Sequence, residues 1–108
     1  MEELLRRLAL NDEKSVGMVL MSGSSPGGAG MALVPKVDLL VRLGALVAVG
    51  AATASLRRTV QLALAAGASE AEIVGVLVAV APTVGLARVV ATAPKLATAI
   101  GYDTENDE

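Results

Sequence analysis

The polar atoms best placed to touch a ligand lie in the stretch Ala52-Thr53-Ala54-Ser55-Leu56-Arg57-Arg58-Thr59. On a helix of about 3.6 residues per turn, Ser55 and Thr59 share one stripe with Ala52 and Ala66. Arg58 borders that stripe, and Arg57 projects to nearly the opposite side. Two hydroxyls and a guanidinium can hold a carboxylate or a carbonyl oxygen. They cannot draw off or deliver a proton near neutral pH, because an alcohol hardly ionises and a guanidinium stays charged. Ser55, Thr59 and Arg58 are therefore the candidate catalytic residues, for chemistry by orientation and charge stabilisation. The same stripe also reads as a close-packed seam whose hydroxyls bond the carbonyl one turn back. Arg42 and Arg88 stand in apolar stretches, where an unpaired charge is costly. They are the candidate ligand-binding residues, and Asp38, four residues before Arg42, is its expected local partner.

The chain holds no Cys and no His among its 108 residues. It cannot use a thiol of its own, and it lacks the commonest metal ligand and the usual acid–base group near pH 7. No metal site and no cofactor are expected. A net charge of −2 with a single aromatic residue, Tyr102, offers neither the basic patch nor the stacking surface that nucleic acids require. The loop 22–30, Ser-Gly-Ser-Ser-Pro-Gly-Gly-Ala-Gly, fails as a phosphate cradle. Its last glycine is followed by Met31 and Ala32 rather than Lys and Ser or Thr, and no strand precedes it. It reads as a linker.

The elements that position these residues are helical. Hydrophobic residues make up 54% of the chain, above the roughly 45–50% usual for soluble domains. The apolar mass is mostly Ala, Val and Leu, which suits close helix-to-helix approach. Residues 2–9 form a short amphipathic helix, and Asn11 or Asp12 caps a second through Val16, Val19 and Leu20. Pro35 opens a third, with Val37, Leu40, Val41, Gly44, Val47 and Ala48 at helical spacing and Leu39, Leu43 and Leu46 on other sides. Beyond Arg42 this helix is apolar all round, which predicts burial on every face. A fourth spans 53–66 and stops at Gly67. Ser69-Glu70-Ala71-Glu72 is a capping box opening a fifth, with Ile73, Val76, Leu77 and Val80 inward and an end near Pro82. A sixth starts around Thr83 and carries Leu86, Val89 and Val90; Pro94 kinks it or starts a last piece holding Leu96 and Ile100. Gly101 ends the helices, Tyr102 packs the chain end, and an acidic tail follows.

The expected fold is an all-α single domain over 1–108, a bundle of about six helices. Its parts are N-terminal helices at 1–21, the Gly/Ser-rich loop at 22–34, a core at 35–101 and the tail at 102–108. The uncharged runs 43–56 and 73–87 fall short of the ~18–20 residues that span a bilayer, so no membrane partner and a cytoplasmic location are expected. So much aliphatic surface on so short a chain predicts burial between copies.

The stretch 33–102 resembles the carboxymuconolactone decarboxylase family, which includes the alkyl-hydroperoxidase-D-like proteins. The resemblance rests on Leu33-Val34-Pro35-Lys36 before a long apolar helix, on Ala63-Leu64-Ala65-Ala66-Gly67-Ala68-Ser69 followed by Glu70-Ala71-Glu72-Ile73-Val74, and on Ala81-Pro82-Thr83-Val84-Gly85 with Arg88. It implies an alkyl-hydroperoxidase-D-like fold interlocking into homo-oligomers, trimers or hexamers. The family's thiol branch carries Cys-x-x-Cys-x-x-x-His where this chain has Ala52, Ser55 and Thr59, and an acidic residue near Leu39, one step from Asp38. The decarboxylase branch keeps the His that Thr59 replaces. The resemblance thus implies a thiol-free protein with a degenerate site that binds or transforms a small organic acid, lactone or carbonyl compound, as a lyase or isomerase. The alternative is a non-catalytic helical assembly or binding module that has lost the family's activity.

Overall fold

A computed structural model describes residues 1–21 and 33–101, and among these the chain forms six helices and no strand. They are α1 (Glu2–Ala9), α2 (Glu13–Met21), α3 (Pro35–Val49), α4 (Thr53–Ala65), α5 (Glu70–Val84) and α6 (Leu86–Ile100). The expectations for the loop 22–30, Tyr102 and the acidic tail lie outside the described residues. Contacts divide the chain into two units, Met1–Val34 and Pro35–Glu108.

In the first unit the two polar residues between the helices take separate tasks. Asn11, at φ 57, closes α1: its N–H donates to the Leu8 carbonyl at 3.0 Å, and the Asp12 N–H donates to that of Arg7 at 2.9 Å. Asp12 then caps α2, its carboxylate accepting from the Ser15 N–H and hydroxyl at 3.0 and 2.7 Å. Those two bonds, the hydroxyl's first, hold the Asp12 carboxyl below its usual range. Within this unit the apolar side of α1 stays open, with Met1, Leu4, Leu5 and Leu8 around a concavity of about 380 Å³.

The second unit is a four-helix bundle. α3 packs on α4 and α5, α6 packs on the same two, and α3 and α6 meet across the middle. The centre is Leu39, Leu43 and Val47 of α3, Leu56, Val60 and Ala63 of α4, Ile73 and Leu77 of α5, and Leu96 of α6. Two expectations about α3 change. Its core face is the 39–43–47 row, because those three, four apart, form one line down the helix. Val37, Val41 and Ala48 face outward instead. Burial on every face does not occur within the chain, since a four-helix ring covers one side of each member.

Glycine and proline set the ends. Gly50, at φ 69, ends α3: its N–H donates to the Val47 carbonyl at 3.2 Å, and that of Ala51 donates to Leu46 at 3.0 Å. Pro82 does not stop α5, and α6 does not begin at Thr83. A proline in the last turn removes one N–H, and the helix continues to Val84. Gly85, at φ 91 and ψ 161, makes the break, in a region open essentially to glycine alone. This later start resets the phase of α6, so Leu86 and Val90 point to water while Thr92 and Leu96 are buried. Pro94 neither divides α6 nor starts a new helix.

The capping box forms in full: the Ser69 hydroxyl accepts from the Glu72 N–H at 3.0 Å, and the Glu72 carboxylate accepts from the Ser69 N–H at 2.9 Å. Lys36 donates to the other Glu72 oxygen at 3.1 Å, which ties the first turn of α3 to that of α5. The Ser69 N–H and then Lys36 lower the Glu72 pKa. A carboxylate whose folded pKa is depressed stabilises the fold above its unfolded pKa, about 4.3, and loses that contribution as pH falls through the folded value. Stability should therefore fall on acidification below about pH 4.3, and Glu72→Gln should flatten part of that slope. Thermal melts between pH 3 and 7 check this; equal slopes in both proteins would refute it.

Candidate functional site

α4 carries the candidate catalytic residues, and its inner side is fixed by Leu56, Val60 and Ala63, all buried. With that face inward, the Ser55–Thr59 stripe turns away from the core. Ser55 and Arg58 are exposed and Thr59 is half-buried, with Ala52 exposed and Ala66 half-buried on the same stripe. Within the single chain the stripe is thus neither a closed cavity nor a solid seam. Ala52 precedes the helix without a side-chain cap. Arg57, expected to project elsewhere, is exposed too.

The two candidate ligand-binding arginines stand apart from this stripe in their contacts. Arg42 donates to both carboxylate oxygens of Asp38, at 2.6 and 3.3 Å. The Asp38 side chain is 12% exposed and that of Arg42 is 31%, so the carboxylate is the buried member of the pair. Arg88, near the start of α6, lays its guanidinium against Gly50 at the C-terminal end of α3. A cation is favourable there, where a helix ends in unpaired carbonyls. Arg42 is thus accounted for by its ion pair, and Arg88 by its exposure, which leaves its charge in water. Removing Asp38 would strand Arg42 in a half-buried position, where a lost partner costs more than the pair is worth.

The organised concavities lie elsewhere. An open groove of about 410 Å³ runs between α3 and α5, walled by Val37, Val41 and Gly44 on one side and Val76, Ala79 and Val80 on the other. A smaller one of about 140 Å³, with Val74, Leu77 and Ala93 among its walls, lies between α5 and α6. Neither lining includes Ser55, Thr59, Arg58, Arg42 or Arg88. The sequence reading does not single out the larger groove, although its signal is there: the residues that line it, Val37, Leu40, Val41, Gly44, Ala45, Val76, Ala79 and Val80, are all aliphatic or glycine. Such walls can cover hydrocarbon but cannot transfer a proton or polarise a carbonyl.

Among the described residues no group of three or more Asp, Glu, His or Cys could hold a metal ion. No described helix is long and apolar enough to cross a membrane. No family model, curated protein or solved structure matches the chain.

Proposed function

We propose that the chain is a thiol-free protein of carboxymuconolactone-decarboxylase-like architecture that works as a non-catalytic, homo-oligomeric assembly unit. The observation that carries this reading is the uncovered apolar wall of α3 and α5, whose groove presents aliphatic carbon alone. Apolar surface gains about 25 cal/mol per Å² when it leaves water, so such a wall favours association over exposure. At the place where the resembling family keeps its proton-handling histidine, Thr59 offers an alcohol, which supports a structural rather than a chemical role.

The second reading, a binder or transformer of a small organic acid, lactone or carbonyl compound, draws on one feature. Ser55, Arg58 and Thr59 place two hydroxyls and a guanidinium on one side of α4 within about one helical turn, and a neighbouring copy laid against them would enclose a polar pocket.

Light scattering of the purified protein in dilute buffer should give a mass that is a multiple of 10.8 kDa. A mass of one chain at every concentration tested would overturn the assembly reading. Titrating the same sample with a small carboxylic acid separates the two readings: binding heat that disappears in Arg58→Ala would favour the second.

A further inference from the structure

We infer that the end of the second unit where α4 and α6 begin docks on an anionic lipid surface, with Arg57, Arg58 and Arg88 at the headgroups and Leu86 and Val49 at the acyl border. The inference is independent of the assembly reading.

The two ends of this unit differ in charge. Lys36 in the first turn of α3 bonds Glu72 in the first turn of α5, so these two helices begin at one end. Arg88, near the start of α6, lies against Gly50 just past α3, and α4 opens after the turn that Gly50 starts. α4 and α6 therefore begin at the other end. Among the described residues of the unit the carboxylates are Asp38, Glu70 and Glu72, all in the first turns of α3 and α5. Arg57, Arg58 and Arg88 stand in the first two turns of α4 and α6. Side chains on a helix tilt toward its N-terminus, so the arginines lean to one end of the bundle and the carboxylates to the other. All three arginines are exposed, and among the described residues none of them pairs with a carboxylate.

Exposed hydrocarbon gathers at the arginine end. Val49, which closes α3, and Leu86, which opens α6, are 72% and 78% exposed. They are the two most exposed large aliphatic side chains among the described residues of the unit.

What meets this end brings negative charge and hydrocarbon together, because a purely apolar cover would strand three guanidiniums away from water. Arg57 and Arg58 point ~100° apart about the α4 axis, which suits an extended surface rather than one small anion. An anionic bilayer supplies both parts: its headgroups take the guanidiniums, and its acyl border takes Leu86 and Val49. Surface docking needs no spanning segment, and no described helix is long and apolar enough to be one. The net charge of −2 does not describe this end. The acidic residues after Gly101 leave the bundle at the far end of α6, on the order of 20 Å away.

The test is co-sedimentation of the full chain with vesicles. Vesicles of phosphatidylcholine and phosphatidylserine in equal parts should carry the wild-type protein down, and vesicles of phosphatidylcholine alone should not. One basic side chain near an anionic surface changes partitioning by about fivefold, so Arg57→Glu and Arg88→Glu should each weaken binding by about that factor or more. Lys95→Glu, the same charge change two turns further along α6, should weaken it less than about twofold. Leu86→Ser should lower vesicle binding several-fold and leave retention on immobilised heparin, a polyanion without hydrocarbon, unchanged. Circular dichroism verifies the helix content of each variant. Wild-type protein that stays in solution beside the anionic vesicles overturns the inference, and so does vesicle binding that survives both arginine variants. Strong heparin retention with vesicle binding that Leu86→Ser leaves intact also overturns it, in favour of an acidic macromolecule.

Discussion

Leu43→Ala should lower the unfolding free energy by about 2–5 kcal/mol, and Leu86→Ala should change it by no more than about 0.5 kcal/mol. The two substitutions remove the same atoms. Leu43 is 0% exposed, in the middle of the α3 core row and surrounded by side chains of the bundle. Its truncation forfeits the transfer free energy of the removed carbons and leaves a void that close-packed neighbours fill only in part. Leu86 opens α6 at 78% exposure, and its side chain has little to lose. Urea denaturation at several protein concentrations gives both numbers and separates folding from association, because a linked oligomer shifts the midpoint with concentration. A loss below about 1 kcal/mol at Leu43 would mean that the 39–43–47 row is not the core face of α3.

A glycine-to-alanine change should act with opposite sign at two places on α3. Gly50→Ala should destabilise by about 1–2 kcal/mol, since the φ of 69 there drives a Cβ toward the following carbonyl. The new methyl also falls onto the Arg88 guanidinium. That group ends a flexible side chain and can swing aside, so most of the cost is backbone strain. In an Arg88→Ala background the same change should cost nearly as much, with a coupling of no more than about 0.5 kcal/mol. Gly44→Ala should be neutral or stabilising by up to about 1 kcal/mol, because an alanine is the better helix former. Its Cβ would meet Val80 and Val76 methyl groups at 3.4 and 3.6 Å, ordinary contact distances. Paired denaturation curves test the signs. Stabilisation by Gly50→Ala would show that the α3–α4 turn is not left-handed at this residue.

The apolar wall and the polar stripe lie on different helices, which separates two meanings of a functional surface in this protein. Ser55, Thr59 and Arg58 hold the atoms that could orient a ligand, yet within one chain Ser55 and Arg58 are exposed and Thr59 is only half-buried. The open α3/α5 groove presents aliphatic side chains, yet it has no group that could act on a substrate.

Local chemistry was legible before any packing was known. The capping box at Ser69 and Glu72, the α4 boundary before Gly67, the opening of α3 at Pro35 and the Asp38–Arg42 pair all depend on groups within about four residues of each other, and a residue string states such spacings directly. The absence of Cys and His settled in the same way that the chain has no thiol or imidazole of its own. The phase of the apolar helices was not legible. When Val37, Leu39, Leu40, Val41 and Leu43 are all aliphatic, periodicity cannot say which row meets the core, and only the placement of α4, α5 and α6 selected Leu39, Leu43 and Val47. The end of α5 at Gly85 rather than Pro82 is a tertiary result for a related reason: a proline weakens one bond of a helix, and Val80 and Val84 on either side of it pack against the core. The α3/α5 groove belongs wholly to the tertiary structure, because its two walls lie more than thirty residues apart and meet only when the bundle closes.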